Sequence, residues 1–205
     1  MLKNLFSAKP TQADKAKPII VVSGLPRSGT SMMMKMLAAG GMDIITDQHR
    51  RADDDNPNGY FEFESVKQMT NGDTAWLEAA QGRAVKVISA LLEHLPSKYH
   101  YKIIFMERLL SEVLVSQKKM LDNRKEEARL TDEAIQAQFK AHLAAVKFWL
   151  ARQPNLEVLY VDYNRMMVSP EHDCQRVANF ISFPLDIRQM VAVPDEGLYR
   201  NRASR

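Results

Sequence analysis

The feature that most constrains this chain is a junction close to its beginning. Ile19, Ile20, Val21 and Val22 form an unbroken run of branched apolar residues, the pattern of a strand covered on both faces. Directly after it comes Gly24-Leu25-Pro26-Arg27-Ser28-Gly29-Thr30-Ser31. A helix-forming stretch follows, in which Met33, Met36 and Leu37 recur at helical spacing and Gly40-Gly41 supplies a stop. Glycines at G-x-x-x-x-G spacing let the backbone curl so that successive N–H groups point inward, and the helix N-terminus adds positive potential for an oxyanion. Strand, loop and helix in this order read as an anion cradle rather than a plain turn.

The remainder of the chain suits a sheet built around that strand. Short apolar runs at Ala84 to Ile88, Tyr101 to Met106 and Leu156 to Val161 are each followed by a helical stretch, which argues for parallel strands joined by crossover helices. The clearest helix opens at Thr131, a good N-cap with Asp132 and Glu133 in its first turn. It carries Ile135, Phe139, Leu143, Val146 and Leu150 on one stripe until Pro154. His142, on the shoulder of that stripe, reads as a packing residue. The expected fold is therefore α/β: a P-loop-type parallel sheet of about four to five strands with helices on both faces. One such domain spans 18–205 behind a polar, mobile leader at 1–17. With 205 residues, 45% of them hydrophobic and 26% charged, the chain can bury one core. Thr46 to Phe63, polar and charge-dense, is the least regular segment and a candidate functional loop.

Composition excludes several classes. Twenty-eight Lys and Arg against 25 Asp and Glu leave a net charge of +3, too little for a nucleic-acid surface by bulk electrostatics. No apolar window of about 18 residues suggests a membrane span or a signal peptide, and a cytoplasmic protein is expected. The single cysteine, Cys174, forbids an internal disulfide and reads as a small buried hydrophobe. Where a nucleotide triphosphatase loop carries lysine, this one has Thr30, and its nearest cation is Arg27, inside the loop. Val161-Asp162 reads as easily as a helix cap as a magnesium ligand, and Asp53-Asp54-Asp55 as a solvated run. No metal is expected, and a divergent small-molecule kinase is a secondary reading.

The Pro26-Arg27-Ser28-Gly29-Thr30-Ser31 loop resembles that of the sulfotransferases that use 3'-phosphoadenosine-5'-phosphosulfate (PAPS) as donor. That family holds the donor's 3'-phosphate with an arginine at the end of a later strand and a serine eight residues on. Here Tyr101 to Met106 runs into Arg108, and residue 116 is a serine. Asn56-Pro57-Asn58-Gly59-Tyr60-Phe61-Glu62 and Leu198-Tyr199-Arg200-Asn201-Arg202 are also similar to segments of bacterial members. The longer glycine-rich C-terminal motif of the cytosolic aryl and steroid enzymes has no counterpart.

The resemblance implies a sulfuryl group moved from PAPS to a hydroxyl or amine acceptor without a metal, leaving 3',5'-ADP. Backbone amides from Ser28 to Ser31, with the hydroxyls of Thr30 and Ser31, would hold the 5'-phosphate, and Arg27 would stabilise charge on the transferred group. Arg108 and Ser116 would hold the 3'-phosphate, joined by Arg200 and Arg202. Three residues compete as base or its assistant. His49 is attractive because imidazoles as a class titrate near neutrality, and it lies 22 residues after Arg27. Glu62 sits among aromatic neighbours, and Lys86 resembles a strand lysine that contacts the transferred group in some members. A binder that has lost transfer is the alternative from another class. A chain this short leaves the acceptor pocket to be built from loops, with Tyr60, Phe61 and Trp76 as candidate linings, or borrowed from a second subunit of a homo-oligomer.

Overall fold

A computed structural model of the chain describes residues 17–47, 56, 59–123, 131–195 and 197. The expected leader, apart from Lys17, lies outside the described residues. Five strands, β1 (Ile19–Gly24), β2 (Ile44–Ile45), β3 (Ala84–Lys86), β4 (Tyr101–Glu107) and β5 (Leu156–Asp162), form one parallel sheet in the order β2-β3-β1-β4-β5. The branched run is its central strand, buried throughout. Strand periodicity sends Ile20 and Val22 into one apolar cluster and Ile19 and Val21 into the other. Each such side chain, fully withdrawn from water, contributes about 1.5–3 kcal/mol.

The two faces are covered differently. Helices α1 (Thr30–Ala39), α4 (Tyr163–Val168), α5 (Pro170–Ile181) and α6 (Ile187–Val191) pack over the first face in a methionine-rich layer that includes Met33, Met36, Met166 and Met190. Methionine's flexible thioether fills the irregular gaps between such short helices. Cys174 is fully buried there, and burial pushes its thiol up to about 12. At the α4–α5 corner the fully buried Asp173 takes two hydrogen bonds from Arg165, at 2.6 and 2.7 Å, and one from Arg176 at 2.6 Å. Burial drives its carboxyl upward, but these guanidinium bonds outweigh it and hold the carboxyl below the usual range.

The second face is covered by three 3-10 segments, Glu64–Asn71, Ala75–Ala80 and Ser89–His94, and by α3 (Asp132–Leu150). Thr131 caps α3 through Ala134 N–H, as its sequence predicts, but the apolar stripe is only half covered until Leu150. His142 shares a 2.9 Å hydrogen bond with Ser89. Trp76 packs edge-on against Phe63 with ring centroids 5.3 Å apart. α2 (Leu110–Asn123) rises from the end of β4 and packs against α3.

One expectation needs adjusting, and one strand had not been anticipated. The strand expected over 84–88 ends at Lys86, because Ser89 opens a 3-10 segment where a crossover helix was anticipated. β2 has only two residues, Ile44 and Ile45, too few to register as alternation. No helix among the described residues is long and apolar enough to cross a membrane.

Candidate active site

β1 delivers its glycine loop to the carboxyl edge of the sheet, at the middle strand of the five. Gly24 has φ 146°, and a Cβ there would meet Ser28 Oγ at 2.5 Å and the Met106 carbonyl at 2.6 Å. Gly29, the residue before α1, has φ 97°, and a Cβ would lie 2.3 Å from the ring of Tyr163. Both positions thus exclude any side chain. Between them Arg27 takes a left-handed φ of 69° without being glycine, a conformation that must be held from outside.

Ser28 closes the curl, since its amide (3.2 Å) and hydroxyl (2.7 Å) both donate to the Leu25 carbonyl. The amides of Gly29, Thr30, Ser31 and Met32 in the first turn of α1 have no hydrogen-bond partner among the described residues. Four unbonded N–H groups at a helix start, beside an arginine, make a cradle for an oxyanion.

The next strand end brings the second cluster. Arg108, just past β4, donates from Nε to Glu112 Oε2 at 2.9 Å and from Nη1 to the Arg27 carbonyl at 3.1 Å. Its guanidinium lies over the Tyr163 ring, 4.4 Å from the centroid. Ser116 is buried on the inward face of α2, and its hydroxyl accepts a 2.9 Å bond from Arg27 Nε rather than turning to its own helix backbone. The arginine and serine eight residues apart therefore both reach the residue at the centre of the loop.

On the other side, the buried Lys86 donates from the end of β3 to the Tyr60 carbonyl and, at 3.3 Å, to Ser31 Oγ, with Glu62 Oε1 3.7 Å away. Ser31 Oγ in turn donates to the Tyr60 carbonyl at 3.1 Å. Lys86 does not snorkel to water. It ties the Gly59–Glu62 turn, where Gly59 has φ 84° and Phe61 φ 51°, onto the start of α1. The two ends of the irregular segment are stitched together as well, with Thr46 Oγ1 donating to the Glu62 carbonyl at 2.9 Å and the Asp47 amide to the same carbonyl at 3.2 Å.

The described structure thus gathers Pro26, Arg27, Ser28, Gly29, Thr30, Ser31, Arg108 and Ser116 with Glu62 and Lys86. His49, Asp53-Asp54-Asp55, Arg200 and Arg202 lie outside the described residues. Asp162 is a helix cap, its side chain accepting from Arg165 N–H at 2.9 Å. Among the described residues no group of three His, Cys, Asp or Glu side chains gathers as a metal site would require. Sequence reading missed Tyr163 and Asn164, which meet Arg108 and Glu112 from α4. The one available signal was Asp162, a cap announcing that a helix would start at the same edge of the sheet.

A family model described as "Sulfotransferase domain" matches residues 17–197. No curated protein sequence matches. Among solved structures, mouse sulfotransferase SULT7A1 complexed with PAP superposes with a TM-score of 0.57 at 16% identity, covering 92% of this chain and 67% of that one. A sulfotransferase domain from the curacin biosynthetic pathway gives 0.48 at 13%, covering 85% and 76%. An unliganded sugar kinase from Janibacter sp. HTCC2649 gives 0.40 at 14%, covering 82% and 96%. The first of these likenesses bears on the fold.

Proposed function

Because the chain belongs to the sulfotransferase domain family, we propose that it moves a sulfuryl group from PAPS to a hydroxyl or amine acceptor. The observation that carries this reading is the meeting of two anion-binding features on one residue: Arg27 in the loop bonds Ser116, and Arg108 bonds the carbonyl of Arg27. A donor with phosphates at both 5' and 3' positions needs two such features side by side. A solved structure of the same fold, mouse SULT7A1, was crystallised with PAP.

The residues fit that donor. The amides of Gly29, Thr30, Ser31 and Met32 take the 5'-phosphate, while Ser28 keeps the loop curled around it. Arg108 and Ser116 take the 3'-phosphate, with Arg200 and Arg202 joining them. The donor supplies a sulfuryl group on a good leaving phosphate. Arg27, a planar fork that can reach two oxygens at once, offsets the charge that gathers on the leaving oxygens. Lys86, committed to Tyr60 and Ser31, positions rather than accepts a proton. Glu62 beside it, or His49, takes the acceptor's proton, and Tyr60 and Phe61 border the acceptor's side.

The test is a melting scan without magnesium. 3',5'-ADP raises the melting temperature of the wild type, and Arg108→Ala removes that rise. Equal stabilisation by ADP, which lacks the 3'-phosphate, overturns the reading. Transfer of radiolabelled sulfate from PAPS into a panel of alcohols, amines and glycans then identifies the acceptor; silence across the panel despite tight nucleotide binding means a binder.

A further inference from the structure

We infer that Glu112 and Asn164, neither of them part of the anion cradle, form a positioning pair that acts through Arg108 to hold Arg27 in its left-handed conformation. This rests on the donor reading above and extends it.

The connection can be followed bond by bond. Glu112 is a buried carboxylate, 2% exposed, and such a charge persists only when paired and hydrogen-bonded. One oxygen accepts from Arg108 Nε at 2.9 Å and the other from Asn164 Nδ2 at 2.9 Å. The Asn164 carbonyl oxygen accepts from the Leu109 amide at 3.4 Å, so the amide's orientation is set from its far side. Arg108, fixed through Nε and stacked on Tyr163, then donates Nη1 to the Arg27 carbonyl. That bond falls on the one loop residue whose backbone is strained, φ 69° without glycine. Tyr163, the neighbour of Asn164, also packs against Gly29. The start of α4 therefore braces the loop both through the ring and through Glu112 and Arg108. Arg108 on this account serves the 5' end of the nucleotide as well as the 3' end, because releasing it frees the peptide that sets the direction of the Arg27 side chain.

The experiment compares two ligands by calorimetry: 3',5'-ADP, and adenosine 5'-phosphosulfate, which has the sulfated 5' end but no 3'-phosphate. Glu112→Gln puts an NH2 where Glu112 accepted from Asn164, so two donors face each other. Asn164→Ala is a milder second variant that breaks the same link. Each is expected to weaken both ligands, by 10-fold or more for Glu112→Gln and about 3- to 10-fold for Asn164→Ala. Combining Glu112→Gln with Asn164→Asp restores the donor and acceptor match with the charge moved to position 164, and should recover both affinities to within about 3-fold. Weakening confined to 3',5'-ADP overturns the inference, since Glu112 would then act only on Arg108's own phosphate contact. A lowered melting temperature with both affinities unchanged overturns it too, as does a double variant no better than Glu112→Gln. If the wild type binds neither ligand, it is the donor reading that has failed.

Discussion

The two flanks of the site are built by different means. On one, Gly24 to Ser31 and Arg108 to Ser116 hang from the ends of two central strands, and the unbonded groups that face the ligand are backbone amides, in a loop shaped by glycines that admit no Cβ and held by bonds to the Leu25 and Arg27 carbonyls. On the other, the Gly59–Glu62 turn is irregular, and it is fastened by the side chains of Lys86 and Ser31. A backbone-built cradle suits a ligand that never changes. A turn held by a few side chains can be refashioned without disturbing the sheet, which is what the acceptor side of the proposed reaction would require.

The sharpest way to break this contrast is Gly29→Ala. The added methyl lands on the Tyr163 ring and forces a left-handed alanine. Strain and overpacking together cost about 2–5 kcal/mol, and 3',5'-ADP affinity should fall at least 100-fold by calorimetry. Near-normal binding would mean the cradle is less rigid than its geometry implies. Lys86→Met addresses the opposite flank. Losing the ammonium strips the buried Tyr60 carbonyl of a donor at about 1–3 kcal/mol. Sulfate transfer should drop at least 100-fold while 3',5'-ADP affinity moves less than about 5-fold. If affinity falls as steeply as for Gly29→Ala, the flanks are not separable. The smallest expected effect on the site itself comes from a change remote from both flanks, at the α4–α5 corner. Asp173 has its folded-state pKa depressed. Its contribution is thus present above the unfolded carboxylate value of about 3.9 and is lost as pH falls through the lower folded value. Asp173→Asn should cost about 1.5–3 kcal/mol at pH 7 and flatten the acid limb of a denaturation series below about pH 4, with nucleotide affinity unchanged.

What could be read in advance follows the same division. The strand, loop and first helix are coded locally, by Ile19 to Val22 and by glycine spacing, and so are the caps at Thr131 and Asp162. The Arg108 and Ser116 pair was legible only through family resemblance, and the structure adds that it meets on Arg27. The bonds from Glu112 to Asn164, 52 positions apart, and from Lys86 to Tyr60, 26 apart, are products of topology, and no local pattern announces them. The three 3-10 segments are too short and too tightly wound to sustain a helical period, so on the second face only α3 announced itself. The final helices, α4 to α6, are so short that tertiary packing rather than propensity makes them.

The strand order carries a consequence for biosynthesis. β1 is made first among the described strands, yet it pairs with β3 and β4 and not with β2. Its first partner, β3, is completed roughly 60 residues later, which at about 5–20 residues per second leaves the branched apolar run unpaired for about 3–12 s on the ribosome. The stretch that makes the cradle possible is thus the one most in need of shelter by a chaperone while the chain is young.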